Sequence, residues 1–140
     1  MERTTQIAQY LLSQPEPKRS EMETLHARIL QLQPGCMLWF LDGLDPTGKI
    51  VSNPNIGYGL RTIHYANGKT KTFYQVGLSG NTTGISVYIM GIADKKYLST
   101  TFGDSLGKAS TSGYCIKFKT LQEINLNVLE AAIQMGFTNH

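Results

Sequence analysis

Cysteines are few in this chain, and the two that it has lie far apart. Cys36 and Cys115 belong to no C-x-x-C pair, and no basic and apolar leader follows Met1. We therefore expect both thiols to be free, in a reducing cytoplasm. A chain of 140 residues is long enough to bury a core without disulfides or a structural metal.

Long hydrophobic runs are also missing. The longest uninterrupted apolar run, 36–41, is far shorter than the roughly 20 residues that cross a bilayer. We therefore predict no membrane-spanning helix. Because 41% of the residues are hydrophobic and only 16% are charged, the composition excludes a disordered, collagen-like or coiled-coil chain.

Acidic residues are scarce in the middle of the chain. From Lys49 to Lys119 there are nine basic residues but only Asp94 and Asp104 as acids, whereas both ends carry a net negative charge. This basic middle can attract phosphate, nucleic acid or an acidic partner. Its lysines are spread over several predicted elements, which argues against a nucleic-acid interface. Of the two interpretations of the basic middle, we favour a solubilising lysine surface.

Hydrophobic periodicity and turn residues predict one α+β domain over 1–140. It has a helical N-terminal part at about 4–33, a β-rich middle at about 50–119 and a C-terminal helix at about 125–136. We expect an antiparallel sheet of about four strands with helices packed mainly on one face. The predicted strands are 56–65, 70–78, 85–92 and 114–119.

Three shorter stretches lie between these elements. The run 36–41 is predicted to be a buried turn or a short strand, because it is too short to show a period. Asp94 can cap a short helix that extends to about Phe102. The stretch 103–113 is rich in Gly and Ser and is predicted to be a loop.

Asn67-Gly68 is a strong β-hairpin signal. If these two residues form the whole loop, Arg61 pairs with Tyr74 on the more apolar face of the hairpin. That position lies beside Gly57 and Gly59, which leave space above the strand. An arginine facing a core must be paired or must line a cavity.

Two interpretations of Arg61 follow. In the first, Arg61 forms a salt bridge with a helix acid such as Glu130 or Glu23. In the second, its guanidinium helps to form an anion pocket. The residues of that predicted ligand-binding pocket are Arg61, Tyr58, Tyr74 and Lys108.

No catalytic motif is complete. The stretch 103–108 resembles a phosphate-binding loop but has three residues between its glycines where that loop needs four. His26, His64 and His140 are scattered along the chain. We therefore assign no catalytic residue and no cofactor, and we favour a protein that is not an enzyme.

Several runs, in this order and spacing, resemble the YdhG-like family, whose members are mostly domains of unknown function. The runs are 56–59, 73–77, 83–89, 106–108, 113–118, 121, 124–125 and 128–129. The resemblance covers roughly 36–137 and implies a small α+β cytosolic bacterial domain with no agreed active site.

Some relatives in that family are labelled frataxin-like intracellular iron chaperones, so iron is the metal that the resemblance implies. Iron(II) is bound by oxygen ligands or imidazole, usually in a cluster. Glu23 and His26 are three residues apart in a predicted helix and are the candidate metal ligands. The sequence has no dense acidic ridge and its middle is basic, which argues against iron handling.

These observations favour a non-catalytic binding module for a small anionic or aromatic ligand, on or beside the sheet. The alternative is a frataxin-like intracellular iron carrier or a protein-interaction domain that uses its helices. In a variant of the first hypothesis, Tyr58, Phe73 and Tyr74 stack on nucleic-acid bases. The sequence leaves open whether the protein is a homodimer.

Overall fold

Helices form one layer of the protein. The computed structural model describes residues 2–138, and these contain four α-helices and one 3-10 turn. They are α1 (Arg3–Ser13), α2 (Lys18–Leu32), α3 (Tyr97–Leu106), α4 (Leu126–Thr138) and the 3-10 turn Leu121–Glu123. Helices α1, α2 and α4 confirm the predicted helical segments at the two ends of the chain. Within residues 2–138 no helix is long and apolar enough to cross a membrane.

Strands form the second layer. They are β1 (Leu38–Leu41), β2 (Asn55–Tyr58), β3 (Arg61–His64), β4 (Thr70–Phe73), β5 (Val76–Asn81), β6 (Gly84–Ile89), β7 (Ala109–Ser112) and β8 (Cys115–Phe118). In the described chain, six of them form an antiparallel sheet in the order β1-β2-β5-β6-β8-β7, and β3 and β4 form a separate hairpin. The α+β prediction is confirmed, but the predicted number of about four strands is too low.

Two long predicted strands are each broken in two. The segment 56–65 breaks at Gly59, whose φ of +84° is outside the range of an extended strand. The segment 70–78 breaks at Tyr74 and Gln75. Strand β7 lies in the predicted loop 103–113, and β1 lies in 36–41.

The predicted register of the hairpin is wrong by one residue. Tyr65 N–H donates to the carbonyl of Lys69, so the loop contains three residues, 66–68, rather than two. Gly68, with a φ of +83°, occupies the left-handed position that a three-residue hairpin loop requires. As a result Arg61 pairs with Phe73 and not with Tyr74.

The two faces of the main sheet have different surroundings. One contact from each helix places it on the same face, which we call the helix face: Tyr10 on Phe40, Met22 at Gly80, Ser99 on Thr111, and Gly136 on Ile89 and Val76. The core between the layers includes Ile56, Leu78, Val87, Ile116 and Leu129, all fully buried. The opposite face, which we call the open face, carries Trp39, Gly57, Gly77, Tyr88, Cys115 and Lys117 in paired register.

Candidate functional site

Five aromatic side chains lie on the open face or at its margin. We call them the aromatic platform: Trp39, Phe73, Tyr74, Tyr88 and Tyr114. The ring centroids of Phe73 and Tyr74 are 4.1 Å apart in a stacked pair, and those of Trp39 and Phe73 are 6.0 Å apart. Tyr88 and Tyr114 form a second pair at 5.9 Å. These distances are typical of favourable aromatic pairs.

Two glycines make room for the centre of the platform. Gly57 and Gly77 pair across β2 and β5, and the ring of Tyr74 covers both of them. A Cβ atom at Gly77 would lie only 2.8 Å from Cε1 of Tyr74. The space that the sequence predicted above Gly57 therefore exists, but Tyr74 fills it. At Gly59 the side chain of Gln75 fills the corresponding space.

The platform is uncharged over a wide pH range. Burial raises the pKa of Tyr74, and the neighbouring Tyr88 raises it further. Burial likewise raises the pKa of Tyr88. Both phenols therefore stay protonated at neutral pH. Tyr114 is 52% exposed, whereas Trp39, Phe73 and Tyr88 are half-buried, so their rings are partly open to solvent.

Cationic side chains surround the platform. Arg61 and Lys71 lie on the same face of the hairpin as Phe73, and Lys71 Nζ is 5.8 Å from the centroid of the Phe73 ring. At the other margin the Arg3 guanidinium is 5.9 Å from the centroid of the Trp39 ring. Both distances fit cation–π contacts.

The strands of the described chain contain no acidic residue. Arg61, Lys71 and Lys117, by contrast, are strand residues. The acids lie in helices, turns and loops instead. The open face therefore combines neutral rings with positive charge.

Only part of the predicted anion pocket comes together. Tyr74 belongs to the platform, and Arg61 pairs with Phe73 on the hairpin, where it is half-buried rather than facing the core. The core position predicted for Arg61 is therefore wrong, because the strand breaks at Gly59 and β3 and β4 form a hairpin outside the main sheet. Of its two predicted salt-bridge partners, Glu130 bonds Arg28 at 2.7 Å and Glu23 lies beside α1.

Tyr58 points to the helix face, away from the platform. It is fully buried, and its hydroxyl is 2.7 Å from Nδ1 of His26 on α2. Burial raises the pKa of Tyr58 well above its ordinary value and lowers the pKa of His26. The pair is thus a neutral hydrogen bond between sheet and helix, and Tyr58 does not contribute to a ligand site on the open face.

Lys108 lies just before β7, at the edge of the sheet remote from β1 and β2. Four strand spacings of about 4.8 Å separate β2 from β7. Nζ of Lys108 is 3.5 Å from Oε2 of Glu123, and the Lys108 side chain is 81% exposed. It lines a shallow cleft with Lys117 and Lys119. The structure does not bring Lys108 to the other predicted ligand residues.

The candidate metal ligands Glu23 and His26 line one cleft between α1 and α2. Its other walls are Thr4, Ile7, Ala8, Leu11 and Leu12. Nδ1 of His26 is already bonded to Tyr58, and in residues 2–138 no group of three or more His, Cys, Asp or Glu side chains is arranged to hold a metal ion. His64 lies on the hairpin, and His140 is outside the described residues.

Sequence reasoning missed three members of the platform. Trp39 lies in the run 36–41, which is too short to show a period, and Tyr88 lies in the predicted strand 85–92, to which no ligand residue was assigned. Tyr114 was included in the predicted strand 114–119, but it lies in the turn before β8. A usable signal was present, because Gly57 and Gly77 mark a place where another group must approach the backbone closely.

Comparison with known proteins adds no functional assignment. No family model, curated protein or solved structure matches the chain. The resemblance to the YdhG-like family therefore stays a prediction, and the function has to be argued from the geometry.

Proposed function

We propose that the protein is a non-catalytic binding module that takes aromatic, negatively charged ligands on the open face of its sheet. The observation that carries the proposal is the aromatic platform, with Arg61 and Lys71 beside Phe73 and no acid in any described strand. Rings supply stacking surfaces, and cations supply attraction for the anionic part of the ligand.

The chemical groups on this face favour binding over catalysis. A catalytic acid or base works best with a pKa near the operating pH. Burial instead raises the pKa of Tyr74, Tyr88 and Cys115, which moves all three away from neutrality. Tyr74 and Cys115 are buried and Tyr88 is half-buried, and all three stay neutral, so none of them supplies a charged acid or base.

The single tryptophan provides a direct test. Trp39 is the only Trp in the chain and belongs to the platform, so its fluorescence reports on this face. We expect saturable quenching by nucleoside monophosphates and by aromatic carboxylates, but none by inorganic phosphate. Inorganic phosphate carries the negative charge but has no aromatic ring to stack on the platform.

Two leucine variants make the test specific. Phe73→Leu should weaken binding about tenfold, because one stacking contact contributes about 1–3 kcal/mol. Tyr97→Leu is the control, since Tyr97 is an exposed aromatic residue on α3. Equal affinities of the two variants, or no saturable quenching by any aromatic anion, would refute the proposal.

A further inference from the structure

We propose that the ligand of the aromatic platform is single-stranded nucleic acid. In this arrangement the bases stack on the platform and the phosphates lie along the hairpin β3–β4. The inference rests on the proposed function and names the ligand class for the same face. It also revises the expectation from sequence that the lysines are too dispersed to form such an interface.

The shape of the face favours a polymer over a small molecule. Small-molecule sites are concave and enclose most of the ligand. In five clefts of the described chain no platform residue lines the walls, although Lys117 of the open face lines one of them. A shallow surface gives a small ligand few contacts, whereas a polymer can add several weak ones along its length.

The rings are arranged in a row across the sheet. Trp39 is on β1 and Tyr88 on β6, three strand spacings apart, which is roughly 14 Å. Phe73 lies over Tyr74 between them, and Tyr114 extends the row beyond Tyr88. Tyr74 is buried, so the other four rings, which are partly exposed, offer the successive stacking positions to successive bases.

The fold places several cationic side chains on the hairpin, close to the platform. The hairpin carries Arg61, Lys69 and Lys71 with no acid, and the whole stretch 46–93 lacks Asp and Glu. Pairing across the hairpin puts Arg61 and Lys71 on the same face as Phe73, next to the platform. Phosphates of a strand whose bases stack on the rings would meet these side chains.

The same geometry discriminates against a duplex. Bases in a double helix are stacked on each other and expose only their edges in the grooves. Partly exposed rings on a sheet gain most from unpaired bases, whose own faces are free. Single-stranded DNA and single-stranded RNA share this chemistry, so both belong in the test.

The experiment measures binding of 12-nucleotide oligo(dT) and oligo(U), and of a 12-base-pair duplex, by Trp39 fluorescence and by anisotropy of labelled strands. We expect the single strands to bind much more tightly than the duplex or a nucleoside monophosphate. If three phosphates are neutralised, raising the salt from about 50 to about 200 mM should weaken binding about 20-fold. The relative affinities of oligo(dT) and oligo(U) show which sugar is preferred.

Three variants separate the phosphate contacts from the base-stacking contacts. Lys71→Gln should lower the slope of log K against log salt by about 0.7, which corresponds to one phosphate contact. Phe73→Leu should weaken binding about tenfold with the slope unchanged. Lys49→Gln is the charge-matched control in the loop between β1 and β2 and should behave as wild type. Circular dichroism checks that each variant is folded.

The possible failures are distinguishable. If nucleoside monophosphates quench Trp39 but oligonucleotides bind no more tightly, the inference is wrong and the proposed function stands. If no aromatic anion binds, both are wrong. Duplex binding as tight as single-strand binding, or dimerisation that buries the platform and blocks oligonucleotides, also overturns the inference.

Discussion

The hydrogen bond between Tyr58 and His26 shows how one side chain can have a different role from the one its sequence position indicates. Tyr58 lies beside two glycines and near Arg61 in the sequence, which favoured a ligand-binding role. The strand alternates faces, however, and places this phenol against α2. Its hydroxyl satisfies a ring nitrogen of a half-buried histidine, which is a structural role.

Tyr58→Phe should destabilise the protein by about 1–2 kcal/mol, because Nδ1 of His26 loses its partner. Urea unfolding followed by circular dichroism measures the loss. Tyr65→Phe is the matched control, since Tyr65 is 48% exposed on the hairpin, and it should change stability by less than about 0.5 kcal/mol. Equal effects of the two variants would contradict the structural role of the Tyr58 hydroxyl.

His26 should make stability depend on pH. Burial lowers its pKa in the folded state, so below about pH 6.5 the unfolded chain takes up a proton that the folded chain resists. The stability that the neutral His26 contributes is therefore fully present above about pH 6.5. It is lost as the pH falls towards the lowered pKa of His26 in the folded state.

Urea unfolding at a series of pH values from about 7.5 down to about 5 tests this dependence. His26→Gln should flatten the decline in stability relative to wild type, whereas His64→Gln, on the exposed hairpin, should not. If the free energy of unfolding falls equally steeply with pH in His26→Gln and in wild type, groups other than His26 cause the pH dependence.

At the scale of elements, the hairpin loop decides what the site contains. Asn67-Gly68 correctly predicted a hairpin, but Ala66 joins the loop and shifts the register by one residue. Such a shift exchanges the residues that share a face. Arg61 consequently lies opposite Phe73, at the margin of the platform.

Two glycine substitutions isolate the role of backbone conformation. Gly68 and Gly103 both have open space where a Cβ atom would lie, but Gly68 has a φ of +83° whereas Gly103 is within α3. Gly68→Ala should destabilise the protein by about 1 kcal/mol through backbone strain. Gly103→Ala should stabilise it by up to about 1 kcal/mol through helix propensity. Thermal unfolding shifts of the same sign for both would contradict this explanation.

The elements that sequence reasoning missed are short and weakly patterned. Strand β7 consists of Ala109, Ser110, Thr111 and Ser112, which are small residues without an apolar alternation. It is an edge strand that pairs only with β8 in the sheet. Pairing with β8 and packing against α3 stabilise β7. Both contacts depend on residues outside the strand itself, so the local sequence does not predict them.

At the scale of the whole molecule, helices and sheet share one contiguous core. Leu129 of α4 is fully buried and belongs to the same cluster as Ile56, Val87 and Ile116 of the sheet. Trp39 lies on the opposite face of that sheet. The two layers should therefore unfold together.

Leu129→Ala should lower the free energy of unfolding by about 2–5 kcal/mol, because it leaves a cavity in this core. Trp39 fluorescence and far-ultraviolet circular dichroism should give the same urea midpoint in wild type and in the variant. Separate midpoints would show that the open face and the helix layer unfold as independent units.

The sequence by itself determined the helical ends, the hairpin and the excess of positive charge in the middle of the chain. These features depend on residues close together in the chain, such as the apolar stripe of α2 or the pair Asn67-Gly68. Local patterns also marked Arg61 and Tyr74, although they grouped them with Tyr58 and Lys108.

Only the tertiary structure decided which strands are neighbours and which face the helices cover. Strand periodicity separates alternate residues into two sets, but it does not say which set meets the core. Because the helices cover one face of the sheet, Tyr58 contacts His26 on that face. Trp39, Tyr88 and Lys117 lie on the open face. The aromatic platform therefore arises from strand order and register, because its rings come from segments far apart in the sequence.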